Sequence, residues 1–226
     1  MSSLSLLITF GVFITFSTIV LSDSFESSLE YEHWKEYFEC RSKIRAQRDV
    51  FEECTSSHFT ALELNETRRM YNKINCVECM HSCRKQENIM ECFRESALSL
   101  QLLSNRSAHM IPFVEKFAET ALTTICDNDG KMITVYDDED NKNCIQKGEQ
   151  ECRVRLGMVN DLESVAYCDT ADPEIEAFTK DNICQKMLDF LECAEKSVKS
   201  CSIDVQDSVS ILMTKLRNME PCSQYL

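Results

Sequence analysis

Cys83 to Ala97 reads CRKQENIMECFRESA, and Cys184 to Val198 reads CQKMLDFLECAEKSV. Cys, Lys, Glu, Cys and Ser coincide at the same offsets, and apolar residues match at Ile89/Phe190 and Met90/Leu191. Met90, Phe93, Ala97 and Leu100 recur at helical spacing, as do Ile183, Met187, Leu191, Ala194 and Val198. Spacings of three and four put such residues on one face of a helix. Each copy therefore reads as an amphipathic helix carrying two cysteines. On one continuous helix, cysteines nine residues apart are separated by about 13 Å, beyond the reach of a disulfide. Cys83 and Cys92 must find partners on other elements, equivalent to those of Cys184 and Cys193. The echo divides the chain into two related halves.

The flanking segments are helical too. One helix is expected over 27–46, with Trp34, Tyr37, Phe38 and Ile44 on its stripe, and a shorter one from Asp49. A long stretch spans 66–104, broken near Asn88. Pro112 begins another, followed by Phe113, Phe117, Ala121 and Ile125, since proline suits the first helical position. Residues 127–143, DNDGKMITVYDDEDNKN, read as a turn, a short β-prone strand (Met132 to Tyr136) and an acidic loop. Helix resumes over 145–167. Asp172-Pro173-Glu174 starts the next one with a capping acid and a proline. Val205, Val209, Leu212, Leu216 and Met219 form the last seam. With only 4 Gly and 3 Pro in 226 residues, the chain cannot supply the turns of a sandwich or the glycine-rich loop of a dinucleotide-binding fold. The expected fold is an all-α, disulfide-rich helical bundle. Its parts are a signal peptide (1–22), a helical half (23–130), an acidic loop (131–143) and a second helical half (144–226).

Residues 4–21 carry no charge, and Val20-Leu21-Ser22 ends the run on a small residue. This reads as a signal peptide and directs the chain to secretion. Fourteen cysteines, an even number, agree with an oxidising compartment. Seven precede residue 130 (Cys40, Cys54, Cys76, Cys79, Cys83, Cys92, Cys126) and seven follow it (Cys144, Cys152, Cys168, Cys184, Cys193, Cys201, Cys222). An odd number per half forces at least one bridge across the acidic loop. Three bridges per half plus one between them is the simplest solution. Asn65-Glu66-Thr67 and Asn105-Arg106-Ser107 are glycosylation sequons.

The segment CVECMHSC sets Cys76, Cys79 and Cys83 on one helical face with His81 among them. Cys-x2-Cys near a histidine resembles half of a zinc site, but no turn residues surround it. Disulfides to neighbouring helices are the expected use. His81 lacks the following aspartate of a secreted phospholipase A2, because residue 82 is Ser82. Asp127-Asn128-Asp129-Gly130 fails as an EF-hand, since the twelfth position would be Tyr136 and not a bidentate acid. Weak calcium binding by Asp137, Asp138, Glu139 and Asp140 is the residual alternative to a solvated loop. His33, His58 and His109 are scattered, and no nucleophile sits in a GxSxG turn. A net charge of −14, from 38 acidic and 24 basic residues, excludes a phosphate-binding face for nucleic acid and disfavours anionic membrane.

With these features the chain resembles a nematode family of secreted, cysteine-rich domains of unknown function. The likeness rests on Cys40-x13-Cys54, the cluster Cys76, Cys79, Cys83 and Cys92, and Cys184-x8-Cys193-x7-Cys201. Small insect haemolymph glycoproteins are a weaker likeness. Neither implies an activity. The expected function is a secreted, non-enzymatic binding or signalling protein without a cofactor, whose partner is an extracellular protein. The alternatives are a carrier of a small apolar ligand such as a lipid, and a secreted hydrolase.

Overall fold

Three helices begin on a side-chain oxygen. Thr60 Oγ1 accepts the Glu63 N–H while the Glu63 carboxylate accepts the Thr60 N–H, a reciprocal arrangement that satisfies two otherwise unpaired donors. Ser104 and Ser107 exchange the same pair of bonds, and Ser202 accepts from the Val205 N–H. The computed structural model describes residues 30–156, 168–169 and 180–220. Among these are eight α-helices: α1 (Glu30–Ser57), α2 (Ala61–Met70), α3 (Val77–Arg84), α4 (Gln86–Gln101), α5 (Asn105–Asp137), α6 (Glu139–Leu156), α7 (Lys180–Ser197) and α8 (Ile203–Arg217). A 3-10 turn, Val198–Ser200, follows α7. No strand occurs among the described residues, so the all-α fold class holds.

Several boundaries differ from the sequence reading. There is no break between 46 and 49: Ile44 and Phe51, two turns apart, are both buried, and the α1 stripe that packs on α4 runs through the gap. The stretch from 66 breaks at 71–76 and again at Lys85 (φ −107°, ψ 17°), not at Asn88. Pro112 lies inside α5; the Ser104–Ser107 cap sets the start about two turns earlier. The expected strand at Met132 to Tyr136 and the acidic loop after it are helical. Met132, Ile133 and Val135 are buried, and core contact overrides the weak strand preference of such residues. Asp138 separates α5 from α6, its carboxylate accepting the Asn141 N–H. The expected turn is present as a kink in α5 from Asp127 to Gly130, where Asn128, Asp129 and Gly130 are all left-handed (φ 52°, 56° and 70°). Residues 1–22, 157–167, Asp172-Pro173-Glu174 and Cys222 lie outside the described residues.

Helix α5 occupies the centre. It packs on α3, α4, α6 and α8, while α1 covers α4 and α7 lies between α6 and α8. Buried side chains from Ile44 to Met219 form one core cluster. Phe51 meets Phe93 edge to face at 6.1 Å, a favoured aromatic geometry. On the rim, Arg94 reaches Glu87, Glu115 and Glu119 at 3.2, 3.1 and 3.5 Å. The pairs with Glu115 and Glu119 tie α4 to α5.

Candidate functional site

The bridges form the frame. Cys54–Cys92, Cys76–Cys79 and Cys83–Cys126 lie before residue 130, Cys144–Cys201 and Cys152–Cys193 after it, and Cys40–Cys168 joins the two sets. Cys184 is also disulfide-bonded, and no described cysteine is free. Of the echoed cysteines, Cys92 and Cys193 have matching partners. Cys92 of α4 returns 38 residues to α1, and Cys193 of α7 returns 41 residues to α6. Cys76 and Cys79 depart from the sequence reading, for they bond each other and not neighbouring helices. The cause is local: Cys76 is the N-cap of α3, off helical geometry (φ −83°, ψ 72°), and its Cα stands 5.3 Å from that of Cys79.

Helix α3 is clasped at both ends by α5. At its start, Asp137 accepts the N–H groups of Asn75 and Cys76 at 2.6 and 3.0 Å. At its end, Cys83 is bridged to Cys126. Between them His81 is fully buried. Its Nε2 lies 2.7 Å from the His58 carbonyl oxygen, which can only accept, so Nε2 carries a proton. Nδ1 lies 2.8 Å from Thr67 Oγ1, and Arg84 Nη1 donates to the same oxygen at 2.7 Å. The single hydroxyl proton of Thr67 has two acceptors in reach, Nδ1 at 2.8 Å and the Glu63 carbonyl at 3.1 Å. The shorter contact satisfies the buried ring nitrogen. The chain Arg84, Thr67, His81, His58 carbonyl is then complete with one ring proton. Both nitrogens of His81 are thus spent on the scaffold. The Phe59 ring meets the imidazole edge-on at 4.9 Å. Above this network, Lys85 reaches Glu63 at 2.6 Å. Lys85 and Thr60 hold the Glu63 carboxyl down at about 2. Burial pushes the Tyr136 phenol up.

The acidic residues offered for calcium do not converge. Asp137 caps α3, Asp138 caps the first turn of α6, and Glu139 pairs with Lys142 at 3.6 Å. Among the described residues, one set of three metal-ligand types does come together, Cys54, His58 and Cys92, with ligand atoms within 4.8 Å of one another. Its two sulfurs are consumed by the bridge. His109 is exposed on α5. Asn65 and Asn105 are exposed, while the hydroxyl residues of their sequons, Thr67 and Ser107, are fully buried. Nothing in the sequence marks Asp137 or Asp169 as the acceptor for the start of another helix. The Asp169 carboxylate accepts the N–H groups of Asn105 and Arg106 at 3.2 Å each, and Asp137 does the same for α3. Each is one acid among 38, and only the tertiary approach of two chain segments gives it a role.

No described helix is long and apolar enough to cross a membrane. No curated protein matches the chain, and no solved structure matches it. A family model described as a protein of unknown function, DUF1397, matches residues 35–222, which takes in α3, its clasp and the bridge frame, and the chain belongs to that family.

Proposed function

We propose that the protein is secreted and acts outside the cell as a non-enzymatic binding or signalling module for a protein partner. The observation that carries this reading is the contrast between a bridged interior and bare apolar side chains on its surface. Leu98 and Leu102, one turn apart at the end of α4, are 66 % and 87 % exposed. Exposed apolar pairs on a rigid frame are what a partner surface uses. The bridge frame supports an oxidising compartment, and the spacing likeness to secreted nematode cysteine-rich domains, or to small insect haemolymph glycoproteins, supports the same one.

A second reading, a carrier of a small apolar ligand such as a lipid, is favoured by the methionine content of the core. Met80, Met90, Met110, Met132, Met213 and Met219 are all buried, and methionine adapts to irregular shapes. Mass spectrometry of an organic extract of the purified protein, paired with saturation binding to cells, separates the two. The binding module yields no lipid and binds saturably, and Leu98→Lys with Leu102→Lys lowers that binding at least tenfold without changing thermal stability. Stoichiometric lipid with no saturable binding overturns it in favour of the carrier.

A further inference from the structure

Five of the six fully described bridges join separate parts of the chain, but Cys76–Cys79 closes over a separation of only 3 residues within one turn. Closing so short a loop removes little freedom from the unfolded chain. The repeat supplies an internal control. In the register that lays Cys83 on Cys184 and Cys92 on Cys193, the positions of Cys76 and Cys79 fall on Ala177 and Lys180. The second copy carries no cysteine at either position.

The position of Cys76 has a chemical consequence. α2, α5 and α8 start on a hydroxyl that accepts a backbone N–H, whereas Cys76 caps α3 with no side-chain hydrogen bond. A disulfide sulfur is a poor acceptor. A thiolate at the same place would take the capping role and face the positive end of the helix. Reduction therefore gains interactions that the bridged form lacks, and a disulfide whose reduced form is stabilised is the more readily reduced. The Asp137 carboxylate opposes this with its charge while fixing the N–H groups of Asn75 and Cys76. Cys76 is 8 % exposed against 2 % for Cys79, and it follows the turn at 71–75, with Asn75 exposed beside it.

We propose that Cys76–Cys79 is a thiol–disulfide exchange site at the start of α3, taking electrons from small thiols of the glutathione class. An incoming thiolate attacks Cys76 Sγ, and the S–S bond breaks toward Cys79, which leaves as thiolate and gains a proton from solvent. A second thiolate attacks the outer sulfur of the mixed disulfide and releases Cys76. Two external thiols become one external disulfide, and the protein bridge becomes two thiols. This site is independent of the apolar surface proposed above.

The test equilibrates the oxidised full-length protein with graded ratios of reduced to oxidised glutathione, quenches with N-ethylmaleimide and maps the peptides. Cys76 and Cys79 should label together, two thiols per chain, at a ratio at least tenfold below the one that opens any other bridge. In Cys79→Ser, glutathione should be found on Cys76. In Cys76→Ser, glutathionylation of Cys79 should be at least tenfold slower. Earlier opening of Cys54–Cys92, beside His58, or simultaneous opening of all bridges overturns the proposal. Reduction by a two-cysteine peptide alone, with glutathione inactive, overturns the small-thiol source. The wild-type map decides even if a serine variant fails to fold.

Discussion

Gly130 backs onto Met80. A Cβ at residue 130 would stand 2.8 Å from Met80 Sδ and 2.9 Å from Cε. Gly130 ends the left-handed kink of α5, at φ 70°, and Met80 is 1 % exposed in the middle of α3. The kink follows directly on Cys126, whose bridge to Cys83 fixes the other end of the same contact. One glycine therefore serves two purposes, the backbone conformation and the close approach of α3.

Gly130→Ala is expected to lower stability by about 2 kcal/mol, from left-handed backbone strain and the overlap with Met80 together. In a Met80→Ala background the overlap is gone, and the same change should cost only the backbone part, about 1 kcal/mol. Urea denaturation of the four proteins measures the coupling. Equal costs in both backgrounds would show that the contact contributes nothing.

The pH dependence follows from Glu63. Its carboxyl is held at about 2 in place of 4.5, by the Lys85 hydrogen bond first and the Thr60 hydroxyl second. A carboxyl lowered in the folded state binds fewer protons there than when unfolded, so it stabilises the protein above its ordinary value. That contribution is full above pH 4.5 and fades as pH falls toward 2. Glu63→Gln should therefore be less stable than the wild type at pH 6, with the gap closing by pH 2. A constant gap across that range would remove the ionised carboxylate from the explanation. The pair is partly exposed, so added salt should narrow the gap as well.

Helical periodicity makes most of the fold legible. The seam Val205, Val209, Leu212, Leu216 and Met219 is buried throughout, as its spacing requires. The echo identifies the two cysteine helices, and Cys92 and Cys193 on them each bridge back to an earlier helix over a similar separation. The segment Lys131–Asp137 is misread because its β-branched residues favour a strand in isolation, while in the protein they face a core supplied by distant segments. Cys76–Cys79 is hidden for another reason. It depends on α3 starting at Val77, and the preceding turn, Tyr71 to Asn75, contains no Gly or Pro to announce a helix boundary. The His58–His81–Thr67–Arg84 chain is invisible in sequence because its members come from three separate segments.

The bridges should differ in worth. Cys40–Cys168 closes a separation of 128 residues, which chain entropy alone values at about 5 kcal/mol. Other bridges already shorten that path, so replacing both cysteines by serine should cost about 2–4 kcal/mol. The corresponding change at Cys76 and Cys79 should cost at most about 2 kcal/mol. Denaturant unfolding of the two double variants ranks them. The reverse order would mean that the short bridge maintains the start of α3.

Thr67 joins the proposed glycosylation to the buried network. Its hydroxyl is the one a glycosyl-transfer enzyme must engage to modify Asn65, and in the folded protein it is fully buried against His81 and Arg84. Ser107 is likewise buried behind Asn105. Glycans are therefore expected on Asn65 and Asn105 only when the chain is modified before it folds. Peptide-glycosidase treatment should lower the mass of protein secreted from eukaryotic cells, and folded unglycosylated protein should be refractory to the same transferase. The two roles of Thr67 separate by substitution. Asn65→Gln removes the glycan and should leave the unglycosylated protein's stability unchanged. Thr67→Ser keeps the sequon and the hydroxyl and should retain both glycan and network. Thr67→Val keeps the shape but leaves His81 Nδ1 without its donor and Arg84 Nη1 without its acceptor, at an expected cost of about 1–3 kcal/mol. Thermal unfolding of unglycosylated material from the three variants reads the network alone. If Thr67→Val is as stable as the wild type, none of the contacts of the hydroxyl with His81, Arg84 and the Glu63 carbonyl contributes to stability.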